Sequence, residues 1–127
     1  MEILLVEDDD SIASVIDENV GKWGHTIKHA KTGREALKKV TKKRFDLILL
    51  DIFLPDCMGH RLIQHFKILW PTAGIVTMTG YNSWELELEV RQQGIFYYLI
   101  KPFMMVELKE VIDHISNLTK RRRKDNE

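Results

Sequence analysis

The sequence predicts a doubly wound α/β fold, in which a five-stranded parallel sheet is covered by helices on both faces. Two observations predict this fold. Short apolar runs recur along the 127-residue chain, and segments with the periodicity of amphipathic helices lie between them. Because crossovers between parallel strands are right-handed, a succession of strand–helix units leaves few other arrangements.

Five apolar runs are the predicted strands. Three of them are continuously apolar, which is typical of strands buried on both faces of a parallel sheet. The second run contains Lys28 and His29, so we predict that it lies nearer an edge of the sheet. In chain order the runs cover residues 3–6, 26–30, 47–50, 75–78 and 97–100.

Four of the intervening segments carry an apolar stripe at the i, i+3, i+4 spacing of a helix that packs on one side. These stripes are Ile12, Val15, Ile16, Val20 and Trp23; Ala36, Leu37 and Val40; Leu62, Ile63, Phe66 and Leu69; and Leu108, Val111, Ile112, Ile115 and Leu118.

The segment between the fourth and fifth runs differs from the other helical segments. Residues 84–90 alternate apolar and acidic side chains, which is the period of a strand. A parallel crossover still requires a helix there. We therefore predict a helix with a poorly defined apolar face, and we expect some of its apolar side chains to stay exposed as a partner surface.

Length and composition indicate one small domain that needs no disulfides. Cys57 is the only cysteine, which excludes an internal disulfide framework, and the five histidines have no ligand spacing for zinc. No apolar run approaches the roughly 18 residues of a membrane helix. Met1 is followed by the first strand rather than by a signal peptide. We therefore expect a cytoplasmic protein with no domain before this one.

The end of the chain differs in charge from the rest. Residues 1–119, the predicted domain, carry a net charge of −3, whereas residues 120–127 carry +3. The mildly acidic body argues against direct binding of nucleic acid by this domain. We predict that the basic residues 120–124 are a solvated helix end or the start of a linker, which leaves open whether an output domain follows.

Residues that can carry chemistry follow four of the predicted strands, at the edge of an α/β sheet where ligands bind. Glu7 and Asp8 follow the first run, Asp51 the third, Thr79 the fourth and Lys101 the fifth. Carboxylates brought together repel one another unless a cation joins them, and oxygen ligands favour a hard ion such as Mg²⁺. With Asp51 as a nucleophile, this set contains the groups that phosphoryl transfer needs.

Four motifs contain these residues: ILLVEDD at 3–9, DLILLDIFLP at 46–55, VTMTG at 76–80 and YYLIKPF at 97–103. Over residues 2–119 the chain resembles the receiver domain of bacterial two-component response regulators. The resemblance implies a flavodoxin-like (βα)5 fold and transfer of a phosphoryl group from a histidine kinase or phosphotransfer protein to Asp51. It also implies a signalling switch that catalyses only its own phosphoryl transfer and dephosphorylation, rather than an enzyme acting on other substrates.

The same resemblance implies a role for each residue of the predicted site. Asp8, Asp51 and the backbone carbonyl of Phe53 would bind Mg²⁺, and Glu7 would act through a metal-bound water. Lys101 would pair with the acyl phosphate. The bond that follows this lysine is expected to be cis, as it often is in the family.

Two further residues would carry the switch. Phosphorylation would draw the hydroxyl of Thr79 inward, and the aromatic ring of Tyr98 would turn into the vacated space. The face formed by the fourth helix, the fifth strand and the fifth helix would then change shape. We expect this face to bind a partner, a second copy of the chain or an output domain.

Bulky residues stand beside the predicted phosphoryl site. Phe53 and Tyr81 lie two positions after Asp51 and Thr79, where the family tunes hydrolysis of the phosphoryl group. We predict slow autodephosphorylation, because large side chains obstruct an in-line water. The loop PDCMG at residues 55–59 departs from the family's Pro-x-Met-Asp-Gly but keeps the glycine, so its geometry is expected to survive.

Three alternatives use related features. Haloacid-dehalogenase-like phosphatases need a second acid where Phe53 stands, and a flavodoxin needs a phosphate-cradling loop where the first acidic run stands. A degenerate receiver that serves only for docking would lack motif residues that are present here. Of the acids outside the cluster, Asp9 and Asp10 are predicted to cap the first helix, and Asp46 and Asp56 to be solvated or turn residues.

Overall fold

The computed structural model describes residues 1–125, and the last two residues of the predicted basic tail lie outside this part. The strands are β1 (Glu2–Val6), β2 (Thr26–Ala30), β3 (Leu47–Asp51), β4 (Gly74–Thr79) and β5 (Tyr97–Ile100). The helices are α1 (Asp10–Lys22), α2 (Gly33–Lys42), α3 (Ile63–Leu69), α4 (Trp84–Arg91) and α5 (Met105–Asp125). A short 3₁₀ helix, Gly59–Leu62, leads into α3.

The five strands are parallel and lie in the order β2-β1-β3-β4-β5. This is the flavodoxin-like, doubly wound order, which confirms the predicted fold. The second strand lies at one edge of the sheet, as its two polar residues predict. β1, β3 and β4 are almost entirely buried because helices cover both faces of the sheet.

Successive residues of each central strand point to opposite faces of the sheet, and each face has its own core. On one face Leu4 and Ile48 pack against residues of α2, α3 and α4. On the other face Ile3 and Leu49 pack against residues of α1 and α5. The two cores fix the strands, so that the residues at their carboxyl ends share one edge.

Helix α4 has the weak apolar face that the alternating sequence predicts. Val90 is fully buried and Leu86 is partly buried, whereas Trp84 is 73% exposed and Leu88 is 47% exposed. The helix begins because the side chain of Ser83 accepts a hydrogen bond from the backbone N–H of Leu86. The predicted exposure of apolar side chains on this helix is confirmed.

Helix α1 is capped by one of the two acids predicted for this role. The side chain of Asp9 accepts hydrogen bonds from the backbone N–H groups of Ser11 and Ile12, at 2.9 and 3.1 Å. Asp10 is instead the first residue of the helix and forms an ion pair with Lys31 at 2.8 Å.

The basic run forms the last turns of α5 and contacts the amino-terminal end of the sheet. Arg122 donates to the backbone carbonyl of Thr72 at 3.0 Å, and Arg123 donates to Asp46 at 3.1 Å. Asp46 also accepts a backbone N–H from β1 and is buried, so of the two predicted possibilities, a solvated or a turn residue, the solvated one is wrong. Within residues 1–125, no helix combines the length and apolar character that crossing a membrane requires.

Candidate functional site

The carboxyl ends of four strands bring all the predicted acidic, hydroxyl and ammonium groups to one edge of the sheet. Glu7 and Asp8 directly follow β1, Asp51 ends β3, Thr79 ends β4, and Lys101 directly follows β5. Parallel strands end on the same side of a sheet, so residues that are far apart in sequence become neighbours.

Three carboxylates form the acidic part of the site. Side-chain oxygens of Glu7, Asp8 and Asp51 lie within 4.8 Å of one another. Glu7 is fully buried, and its Oε2 atom has no hydrogen-bond partner among the described residues. Asp8 is exposed to solvent, so the cluster is open on that side. An unpartnered, buried carboxylate oxygen beside two more carboxylates is a place where a cation is stabilising.

Lys101 bridges two of these acids. Its Nζ donates to Glu7 Oε1 at 2.5 Å and to Asp51 Oδ2 at 3.2 Å. Burial, with the neighbouring Asp51 carboxylate, raises the pKa of Glu7 to about 8. Burial lowers the pKa of Lys101, but the hydrogen bond to Glu7 and the charge of Asp51 outweigh it and raise that pKa overall. Lys101 therefore remains a cation, and its bond to Pro102 is cis, as expected.

The chain that follows β3 fixes the position of Asp51. The backbone N–H of Phe53 donates to Asp51 Oδ1 at 3.2 Å, which leaves Oδ2 facing Lys101. Gly59 packs directly on the same backbone, because a Cβ atom there would lie 2.0 Å from the carbonyl oxygen of Asp51. The glycine retained in this loop is therefore required by a close approach of two backbone segments.

Two aromatic side chains contact each other beside the site. The rings of Phe53 and Tyr81 meet edge to face, with centroids 5.2 Å apart and planes inclined by 72°. Phe53 is partly buried and Tyr81 is 75% exposed, so this pair extends from beside the site to the surface. The sequence predicts that both residues flank the site, but it does not predict that they touch.

The two predicted switch residues are buried on neighbouring strands. The Oγ1 atom of Thr79 accepts a hydrogen bond from the backbone N–H of Tyr81 at 3.1 Å, so its own O–H remains available as a donor. A Cβ atom on Gly80 would meet no described atom within 4 Å. Tyr98 is 5% exposed and donates its O–H to Asn82 Oδ1 at 2.7 Å, which holds the ring inward.

Sequence analysis missed two partners of the site residues. His29 Nε2 lies 2.6 Å from the backbone carbonyl oxygen of Glu7. The pairing of β1 with β2 sets His29 opposite Leu5, so the order of the strands was the signal that could have found this contact. Asn82, the partner of Tyr98, lies in the loop before α4, and no local pattern distinguishes it.

Comparison with known proteins decides the family. Residues 3–113 match the family described as the response regulator receiver domain. The chain belongs to this family. The receiver domain is 32% identical over 113 residues to the transcriptional regulatory protein ZraR of Escherichia coli (strain K12), an overlap of 89% of this chain and 26% of ZraR. It is 30% identical over 110 residues to sporulation initiation phosphotransferase F of Bacillus subtilis (strain 168), covering 87% and 89% of the two chains.

Solved structures agree with the fold of the receiver domain. The CheY-like response regulator receiver domain protein of Methanospirillum hungatei JF-1 superposes with a TM-score of 0.86 at 29% identity, over 94% of this chain and 97% of that one. The chain spans about a quarter of the length of the ZraR relatives. This is the receiver domain of a two-component response regulator, so the phosphatase and flavodoxin alternatives are excluded.

Proposed function

We propose that Asp51 accepts a phosphoryl group from the phosphohistidine of a histidine kinase or phosphotransfer protein, with Mg²⁺ bound beside it. The observation that carries this proposal is the convergence of one ammonium group and two further acids on a single buried carboxylate. Asp51 Oδ2 lies 3.2 Å from Lys101 Nζ, and Asp51 lies in the acidic cluster with Glu7 and Asp8. These groups supply the charge stabilisation and positioning that phosphoryl transfer requires.

The acidic cluster fits a divalent cation, because Glu7 Oε2 is buried without a partner among the described residues and Asp8 is open to solvent. Asp8, Asp51 and the backbone carbonyl of Phe53 would hold Mg²⁺, and Glu7 would act through a water on the ion. The bound ion supplies positive charge against the phosphoryl oxygens.

The transfer step uses the side chains of the site. A carboxylate oxygen of Asp51 attacks phosphorus, the new O–P bond forms as the donor histidine's N–P bond breaks, and the ring nitrogen keeps the electron pair. Lys101 stays protonated and pairs with a phosphoryl oxygen. Because Thr79 Oγ1 already accepts a hydrogen bond from Tyr81, its O–H can donate to another phosphoryl oxygen.

The signal would leave the site through the face formed by α4, β5 and α5. Movement of Thr79 toward the phosphoryl group changes the packing beside Tyr98 on the neighbouring strand. The inward ring, held by Asn82, is the position that this proposal assigns to the phosphorylated state. The face has exposed apolar side chains suited to a partner protein, a second copy or an output domain: Trp84, Leu88, Tyr97 and Ile100.

The phosphoryl group would be long-lived. Hydrolysis requires a water in line with the bond from phosphorus to Asp51. We propose that the edge-to-face pair of Phe53 and Tyr81 obstructs the approach of this water, so that autodephosphorylation, the only other reaction we assign to the domain, is slow. We further propose that the domain acts in the cytoplasm. We also propose that it controls further domains, since the matched segment is only 26% of the relative ZraR.

The test is the intact mass of the chain after incubation with acetyl phosphate, with and without Mg²⁺. We expect a Mg²⁺-dependent gain of one phosphoryl group that Asp51→Asn abolishes. Asp113→Asn, which changes an exposed acid of α5, should leave the gain intact. If neither acetyl phosphate nor a phosphorylated histidine kinase adds mass to the folded protein, the proposal is wrong and the domain serves only for docking.

A further inference from the structure

The loop between β3 and α3 is fastened to a helix that the proposed reaction does not use. The carboxylate of Asp56, near the tip of this loop, accepts the backbone N–H of Gly33 at 2.9 Å and that of Arg34 at 3.0 Å. These are the first two residues of α2. The first N–H groups of a helix have no partners within the helix, so this acid caps α2 from 22 residues further along the chain.

The surfaces of the loop and the helix also fit closely. A Cβ atom on Gly33 would lie 2.5 Å from the Sγ atom of Cys57 and 3.5 Å from Oδ1 of Asp56. The absence of a side chain at Gly33 therefore lets the tip of the loop rest against the start of α2. The hydrogen bonds from Gly33 and Arg34 also hold the pKa of Asp56 below its ordinary value, so the cap stays ionised.

Backbone hydrogen bonds within the loop connect its tip, which is attached to α2, with its base. Within the loop, the backbone N–H of Leu54 donates to the carbonyl of Cys57 at 3.2 Å. This hydrogen bond, and the one that the backbone N–H of Gly59 donates to the carbonyl of Ile52, make up the antiparallel bridge between Phe53 and Met58. Met58 stands at the N-cap of the 3₁₀ helix, and its side chain makes no capping hydrogen bond. The base of the loop is thus held by Gly59, the first residue of the 3₁₀ helix, and the attachment to α2 adds a second anchor at the tip of the loop.

We infer that Asp56 is a positioning residue for the proposed metal site: by fastening the loop to α2, it fixes the backbone carbonyl of Phe53. The inference rests on the proposed function, since it concerns the carbonyl that would help to hold Mg²⁺. Asp56 itself lies outside the acidic cluster and acts through the loop. A carbonyl that is fixed beforehand binds an ion more tightly than one on a free loop, because less backbone ordering accompanies binding.

The test compares two variants that each remove a cap from the same helix. Asp56→Ala removes the cap that reaches across from the loop. Thr32→Ala removes the local cap, in which Thr32 Oγ1 accepts the backbone N–H of Glu35 at 3.1 Å without involving the loop. Both variants should lower the unfolding midpoint in urea. We expect Asp56→Ala alone to weaken Mg²⁺ binding, by about fivefold in isothermal titration calorimetry, with Thr32→Ala within about twofold of wild type.

The outcomes separate this inference from the proposed function. If the wild type binds Mg²⁺ and both variants bind it equally well, Asp56 only stabilises α2 and the inference is wrong. If the wild type itself does not bind Mg²⁺, the metal site of the proposed function is wrong, and the inference falls with it. Asp56→Asn, which keeps an oxygen acceptor, should restore most of the Mg²⁺ affinity.

A second pair of variants disturbs the attachment without removing the acid. Gly33→Ala must displace Cys57 Sγ, although alanine is the better helix former. We expect it to weaken Mg²⁺ binding by about threefold. Cys57→Ala in the same chain frees that space and should return the affinity to within about 1.5-fold of wild type. Gly33→Ala without effect on Mg²⁺ affinity would contradict the proposed packing.

Discussion

The carboxyl edge of the sheet and the face formed by α4, β5 and α5 are neighbours with opposite construction. At the edge, Glu7, Asp51 and Thr79 are buried, and Lys101 joins two of them by hydrogen bonds. On the face, the apolar side chains of α4 stay largely exposed and Val90 is its fully buried residue. Under the proposed function, a firmly held site beside a loosely anchored helix would let a small change at the site favour a different packing of the face.

The largest effect is expected from removing the ammonium group at the edge. Lys101→Ala should lower the rate of phosphorylation by acetyl phosphate about 100-fold, because the charge that would face the phosphoryl oxygens is lost. Lys109→Ala, which removes an exposed lysine paired with Asp113 on α5, is the matched control. The rate of mass gain measures both. A phosphorylation rate of Lys101→Ala within about threefold of wild type would show that phosphoryl transfer at the edge does not depend on this cation.

The close packing of the edge predicts a large effect on stability. Gly59→Ala should lower the free energy of unfolding by about 3 kcal/mol, because its Cβ atom collides with the backbone carbonyl of Asp51. Gly21→Ala provides the control, since a Cβ atom there meets no described atom within 4 Å and alanine favours α1. Urea unfolding measures both variants. Equal stability of the two variants would contradict the close approach.

The loose anchoring of α4 predicts unequal effects of two substitutions on one helix. Val90→Ala should lower the free energy of unfolding by about 2 kcal/mol, because it leaves a cavity beneath α4. Leu88→Ala, at an exposed position, should change it by less than about 0.5 kcal/mol. Urea unfolding measures both variants, provided that the m-value, the dependence of the unfolding free energy on urea concentration, is unchanged. Comparable losses would mean that α4 is anchored along its whole length.

The smallest effect concerns the aromatic pair of Phe53 and Tyr81 beside the edge. Phe53→Asn and Tyr81→Ala should each speed loss of the phosphoryl group by about tenfold, because water gains a path to phosphorus. The decay of the phosphorylated mass after removal of the donor gives the rate. Tyr97→Ala, which removes an exposed aromatic ring at the start of β5, should leave that rate unchanged. An unaltered rate of hydrolysis in both site variants would mean that the aromatic pair does not slow the loss of the phosphoryl group.

The sequence predicts the residues of the edge well because each of them depends on a local pattern. An apolar run followed by Asp51, Thr79 or Lys101 is enough to place each residue at the end of a strand. The topology of a parallel sheet then brings these ends together. The weak apolar face of α4 follows for the same reason from its alternating residues. The roles of these residues in phosphoryl transfer and switching remain predictions.

Contacts between distant segments were not predictable in this way. Asp56 was expected to be a solvated or turn residue, and its bond to Gly33 depends on the folded position of the loop rather than on neighbouring residues. Asp46 was expected to be a solvated or turn residue, yet it is buried and Arg123 reaches it from the far end of α5. A local pattern predicts capping of the nearest helix, so it misses an acid that finds its partner only after the chain has folded.

Hydrogen exchange of the phosphorylated and unphosphorylated chain tests the central claim most directly, namely that a charge added at Asp51 alters the face rather than the edge. The chain would be compared with and without acetyl phosphate in Mg²⁺, with Asp51→Asn as the control for donor effects. The account predicts altered exchange in α4 and β5, a change at the end of β4 where Thr79 moves, and unchanged exchange in β1 and β3. Full phosphorylation with no change in α4 or β5, or an equal change throughout the sheet, would contradict it.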